Sequence, residues 1–229
     1  MGYVVPATEI PSVEVAGTKD RFPVHRIYCV GRNYAAHARE MGKDPERDPP
    51  FFFCKPADAV VANNVDVPYA TETENFHHEI ELVIAIGKEA VNVPIEKAKD
   101  YIYGYAVGND LTRRDLQLVA REQGRPWDAG KAFDLSAPIT KIYPVSQVGH
   151  LESGKIWLKV NNETRQEADL KELIWDTAEI VSILSKFFKL QAGDLIYTGT
   201  PAGVGAVKVG DTITGGIEGI DEMLVTKIV

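Results

Sequence analysis

The sequence predicts one α+β domain, mainly β, with helices at its periphery. Three observations lead there. Short β-branched and aromatic runs recur along the chain, whereas one stretch after Asp176 carries a sustained helical spacing of apolar residues. No internal repeat, low-complexity tract or sharp composition break divides the chain. At 229 residues and 45% hydrophobic content, the chain can bury one substantial core. Residues 1–24 read as a leading arm and residues 25–229 as one domain.

Taken in order, the arm holds a short strand at residues 13–15, the Gly17 turn and Pro23. Residues 27–30 form an apolar strand. Asn33 is placed to cap a helix over residues 34–41 that Gly42 would close, with His37 and Glu40 one turn apart on one face. Residues 43–50 are charged, proline-rich and aperiodic, and read as a loop. Residues 51–54 make a second apolar strand, which Lys55 and Pro56 terminate before the Asn63–Asn64 turn.

Residues 76–87, FHHEIELVIAIG, alternate as a strand. Side chains two apart share a face, so Glu79 and Glu81 point one way with Val83 and Ala85, while Ile80, Leu82, Ile84 and Ile86 take the other. After a short helix at 94–100, residues 102–107 form a strand ending at Gly108, Asn109 and Asp110. Thr112 and Asp115 have the spacing of a capping box for a helix from 113 to 122. Residues 155–160 alternate into Asn161–Asn162, a hairpin signal. Asp176 and Glu179 cap the helix bearing Ile180, Ile183, Leu184, Phe187 and Phe188, all read as core. A strand at 195–198 then leads into the glycine-rich loop Gly199–Gly205, and the last strands surround Gly210 and Asp211.

A net charge of -8 and a pI near 5.2 argue against nucleic acid or an anionic membrane as partner. The sequence shows no signal-like run, and Pro6 stands where a myristoylation signal needs Ser or Thr. Two cysteines, Cys29 and Cys54, read as core thiols rather than a disulfide framework, and a reducing cytoplasm is the expected setting.

Two carboxylates about 7 Å apart on one buried face require a cation, and a hard divalent metal suits oxygen ligands. The alternative for Glu79 and Glu81 is a strand end paired with lysines or open to solvent. Asp110, where a strand meets a helix, is a candidate third acid; its alternative is an ordinary turn or capping acid. His37 with Glu40 has the spacing of a base and the acid that orients it, or of a pair on an exposed helix face. Lys131, between Trp127 and Phe133, suits oxyanion stabilisation or simple snorkelling over aromatic surface. The loop at Gly199 lacks the lysine and spacing of a P-loop, so its amides and the Thr200 hydroxyl suit a carboxylate or an ordinary turn. The adjacent His77 and His78 face opposite sides and read as structural.

The runs VGRNYAAHAREMG, FFFCKP, HHEIELVIAIG, GYAVGNDLTRRDLQ, GRPWDAGKAFD, LKVNNETRQE and DLIYTGTPAGVG together resemble the fumarylacetoacetate hydrolase family, in its short branch acting on acylpyruvates. The resemblance implies a mixed β-sandwich roll, usually a homodimer, and makes 25–229 a catalytic domain. It implies Mg2+ or Mn2+ on Glu79, Glu81 and Asp110, with His37 and Glu40 as a water-activating dyad on a lid. Lys131, Gln117 and Arg114 match positions that polarise the cleaved carbonyl. Thr200, Arg32 and Asn33 match substrate contacts. The implied reaction hydrolyses a carbon–carbon bond in 2,4-dioxo acids, such as fumarylpyruvate to fumarate and pyruvate. Rivals are an oxaloacetate decarboxylase or tautomerase and a metal-stabilised dimeric binding protein without turnover. Which base meets a second substrate carboxylate stays open among Arg39, Lys43 and Arg47.

Overall fold

The strand Ile80–Ile86 lies in the middle of an eight-stranded mixed sheet. The computed structural model describes residues 2–40 and 48–229, apart from the side chains of Ala38 and Glu40. Across that sheet the order is Phe51–Lys55, Arg26–Gly31, Asp194–Tyr197, Ile80–Ile86, Ile102–Asn109, Ala137–Ile139 and Val60–Ala62, with Tyr143–Pro144 also pairing to Ile102–Asn109. Asp194–Tyr197 runs parallel to Arg26–Gly31 and antiparallel to Ile80–Ile86. A four-stranded antiparallel sheet of Glu163–Asp169, Lys155–Val160, Thr212–Ile217 and Leu224–Lys227 completes the mainly β roll expected from the sequence.

The central strand separates two cores. Ile80, Leu82, Ile84 and Ile86 pack with Ile156, Leu158 and Ile213 and with Ile180 and Leu184 of the helix Thr177–Phe187. Val83 and Ala85 pack on the other side with Ile27, Cys29, Leu195 and Tyr197, joined by Val13, Val15, Phe22 and Val24. The predicted assignment of faces therefore holds, and both faces are buried. Gly108 on the neighbouring strand permits the close approach: a Cβ there would lie 2.5 Å from Val83 Cγ2 and 2.6 Å from the Tyr197 ring.

Local signals mostly act as expected. Asn161 and Asn162 both take positive φ, 50° and 68°, and turn Lys155–Val160 into Glu163–Asp169. Asp176 accepts from the Glu179 amide at 2.8 Å and Glu179 reciprocates at 3.0 Å, forming the predicted capping box.

Several expectations are corrected. The stretch 76–87 is not one strand; it breaks at Glu79 between Phe76–His78 and Ile80–Ile86, and Asn109 Oδ1 there accepts the Glu79 amide at 2.8 Å. The first helix is Ala35–Glu40, and the Asn33 side chain does not cap it. The helix Arg114–Glu122 has no side-chain cap: Thr112 Oγ1 donates to the Asp110 carbonyl, and Asp115 accepts from Thr73 and Glu74. Phe187 is 68% and Phe188 39% exposed, because the helix ends as they leave its buried face. Cys54 is exposed on its strand rather than in the core. The predicted loop at 43–50 falls mostly on residues 41–47, which lie outside the described residues.

Candidate active site

Glu79, Glu81 and Asp110 each offer a carboxylate oxygen within 4.8 Å of the others, and all three are buried. The backbone explains the convergence. Glu81 sits in the central strand, Glu79 at the break before it, and Asp110 one residue past the neighbouring strand. The Asp110 amide donates to the Glu79 carbonyl at 2.8 Å, which closes the strand ends together.

Buried like charges need compensation, and three cations supply most of it. Lys131 Nζ donates to Glu79 Oε2 at 2.8 Å, Asp110 Oδ2 at 2.6 Å and Thr112 Oγ1 at 2.6 Å. Arg114 donates to Glu79 Oε1 and, at 2.6 Å, to Gln117 Oε1. Lys55 Nζ stands 2.8 Å from Asp110 Oδ1 and donates to the carbonyls of Leu111 and Lys131. Burial raises the Glu79 pKa, but the Lys131 and Arg114 charges outweigh it and hold the carboxyl well below the ordinary range. Burial likewise lowers Lys131, yet Asp110 and Glu79 keep it charged and its pKa raised. Partial burial, together with the nearby Arg114 charge, pushes the His77 pKa down to about 4.

Glu81 is the exception. Its Oε2 accepts the Gly199 amide at 2.7 Å, but among the described residues no cation lies within ion-pair distance. Burial, with Asp110 and Glu79 close by, drives its pKa well above the carboxylate range. Asp110 Oδ1 has the Lys55 charge but no hydrogen bond. An undercompensated set of hard oxygens at this spacing fits a small divalent cation.

The sign of the Glu81 shift gives a test. A carboxyl whose folded pKa is raised stabilises the protein below its unfolded pKa, and that contribution is lost as pH rises toward the folded value. At neutral pH, metal-free protein carrying Glu81→Gln is therefore expected to melt higher than the parent while losing Mn2+ binding. Thermal melts and calorimetric titration check both halves; a lower melting temperature with metal binding intact would refute this account of Glu81.

One cavity joins these acids to most of the other predicted residues: Arg32, His37, Arg114, Gln117, Lys131 and Thr200. His37 is 6% exposed there. Thr200 Oγ1 accepts from Gln166 Nε2 at 2.8 Å, and Gln166 Oε1 meets the Ile80 amide and His78. Asn33, expected as a substrate contact, is not among the residues that line the cavity. Both its amide hydrogens go to the Trp175 and Thr198 carbonyls, at 2.9 and 2.8 Å, and its Oδ1 accepts the Trp175 amide, so the side chain is a strut. Gly199 accommodates that strut: its φ is +102° and a Cβ would fall 2.7 Å from Asn33 Cβ. The Glu40 side chain, and Lys43 and Arg47, lie outside the described residues; Arg39 is exposed.

Sequence reasoning missed three contributors. Lys55 read as a strand exit, yet its side chain is fully buried against Asp110. Gln166 read as part of a hairpin but positions Thr200. Arg121 drew no notice and lines the cavity. The signal for Arg121 was its spacing: Arg114, Gln117 and Arg121 fall at i, i+3 and i+7 on one helix face.

This roll, with three buried acids facing a histidine, a lysine and an arginine in one cavity, defines a carboxylate-built metal enzyme site. Residues 26–226 match the fumarylacetoacetate (FAA) hydrolase C-terminal family, and the chain belongs to that family. A fumarylpyruvate hydrolase of Ralstonia sp is 48% identical over 188 residues, covering 81% of this chain and 97% of that protein. The mitochondrial oxaloacetate tautomerase of Arabidopsis thaliana is 42% identical over 198 residues, 86% of this chain and 88% of that protein. The crystal structure of fumarylpyruvate hydrolase from Pseudomonas aeruginosa in complex with Mn2+ and pyruvate superposes with a TM-score of 0.97 at 54% identity, covering 100% of this chain and 99% of that one.

Proposed function

We propose that this protein is a divalent-metal-dependent hydrolase that cleaves the carbon–carbon bond of 2,4-dioxo acids, with fumarylpyruvate as substrate and fumarate and pyruvate as products. The observation that carries the reading is the buried Glu79, Glu81 and Asp110 cluster sharing a cavity with His37, Lys131, Arg114 and Gln117. Likeness to the Ralstonia and Pseudomonas proteins supports the choice of substrate.

Glu79, Glu81 and Asp110 would hold Mg2+ or Mn2+. When bound, the ion supplies a Lewis acid for the 2-oxo acid end and for the negative charge that end acquires. His37, with Glu40 as its orienting acid, takes a proton from water so that hydroxide adds to the C4 carbonyl. Lys131, Arg114 and Gln117 are donors for the resulting oxyanion, and Thr200 binds the 2-oxo acid end. The C3–C4 bond then breaks, its electron pair goes to C3, and protonation there gives pyruvate.

Purified protein with Mn2+ or Mg2+ is expected to consume the dienolate absorbance of fumarylpyruvate and yield equimolar fumarate and pyruvate. Turnover of oxaloacetate alone would defeat the reading. Oxaloacetate tautomerisation is the second reading, favoured by the likeness to the Arabidopsis protein, and it requires no activated water.

The same reading places the enzyme downstream of aromatic ring opening, in the cytoplasm, as a homodimer. Both cysteines are free, and no helix among the described residues is long and apolar enough to cross a membrane. Phe187 and Phe188, exposed near Phe52, offer an apolar face for a second copy.

A further inference from the structure

Arg114 reaches Glu79 among the acids of the cavity. Arg32 and Arg121 line the same cavity, each half-buried. Among the described residues neither guanidinium has a carboxylate within ion-pair distance or donates a side-chain hydrogen bond. Two such cations near each other repel: the Arg121 charge, after burial, depresses the Arg32 pKa, and Asp48 opposes this only in part. Their placement is not casual. Arg32 is held at φ 56°, a left-handed conformation unfavourable for a non-glycine residue, with its guanidinium 5.4 Å from the Phe51 ring centroid. Phe51 in turn packs edge-on against Trp127, which walls the same cavity.

The helix Arg114–Glu122 serves as a ruler. Seven residues separate Arg114 from Arg121, so at roughly 1.5 Å per residue the second arginine originates about 10 Å further along the axis. An extended seven-carbon diacid spans about 7–8 Å between its carboxyl carbons, taking about 3.8 Å per three bonds. A four-carbon diacid spans only about 4 Å on the same scale. With its 2-oxo acid end at the acids, the longer molecule brings its far carboxylate to the two guanidiniums; the shorter one stops short. Arginine pairs are suited to this task because their planar forks bind carboxylate oxygens in pairs.

We propose that Arg32 and Arg121 form the recognition site for the distal carboxylate of a seven-carbon 2-oxo diacid, and so select long dicarboxylate substrates over oxaloacetate-sized or uncharged acyl ones. The inference rests on the hydrolase reading for its placement of the 2-oxo acid end, but its test does not require turnover. Calorimetry on Mn2+-loaded protein would compare 2-oxoheptanedioate, which has no 4-oxo group to attack, with 2-oxoheptanoate, which lacks the distal carboxylate.

The parent is expected to bind the diacid at least about 20-fold more tightly. Arg121→Gln and Arg32→Gln should each reduce that preference to below about threefold while leaving 2-oxoheptanoate binding unchanged, and Arg121→Lys should keep part of it. Equal affinities in the parent, or a preference surviving in Arg121→Gln, would overturn the inference. Parallel assays with fumarylpyruvate and acetylpyruvate separate the two ideas. Cleavage of both without a diacid preference sinks only this site, whereas a diacid preference without cleavage sinks only the hydrolase reading.

Discussion

His37→Ala is expected to lower kcat for fumarylpyruvate by about 10²–10⁴-fold while leaving Mn2+ affinity unchanged. His37 lines the cavity but is not among the three clustered acids, so its loss would remove the proposed proton acceptor and leave the carboxylate cluster in place. Steady-state kinetics paired with calorimetric Mn2+ titration separates the two roles. Full activity in the variant would remove water activation from the mechanism; loss of metal binding would make His37 a ligand.

Lys55→Met is expected to destabilise the protein by about 3–5 kcal/mol, the usual consequence of deleting one partner of a buried ion pair. The side chain is 0% exposed and Asp110 1%. Methionine fills a similar volume but leaves Asp110 Oδ1 without a cation and withdraws donors from the Leu111 and Lys131 carbonyls. Because a divalent ion on the same acids supplies the missing charge, Mn2+ at about 100 times its dissociation constant should restore about 2.7 kcal/mol. Denaturant melts with and without Mn2+ measure both effects. A loss below about 1 kcal/mol would show that Lys55 does not carry the compensation of Asp110.

Local rules and tertiary convergence account for what the sequence revealed and what it concealed. The Asp176–Glu179 box and the Asn161–Asn162 turn were legible because every atom involved lies within a few residues. The faces of 80–86 were legible because strand periodicity alone fixes them. Thr112 and Asp115 show the limit of the same logic: identical spacing fails as a cap because Lys131 and Thr73 claim those side chains from elsewhere in the chain. Asn33 fails in the same way, taken by Trp175 and Thr198. Lys55 was illegible because a lysine after an apolar strand is nearly always solvated, and only the pairing of Phe51–Lys55 with Arg26–Gly31 carries it inside. The family resemblance named candidate site residues that periodicity could not, and one of them, Asn33, is held by Trp175 and Thr198 rather than lining the cavity.

The central strand bears on how tightly the site is tied to the rest of the molecule. Because Ile80–Ile86 is flanked by apolar packing on both faces, its one acid, Glu81, is not bared by fraying of an edge or melting of a peripheral helix. Backbone amides there should exchange with solvent only when the whole molecule opens. Traffic of ions and small molecules must then pass through the mouth of the cavity, and the lifetime of a bound cation becomes a property of that entrance rather than of any breathing of the sheet.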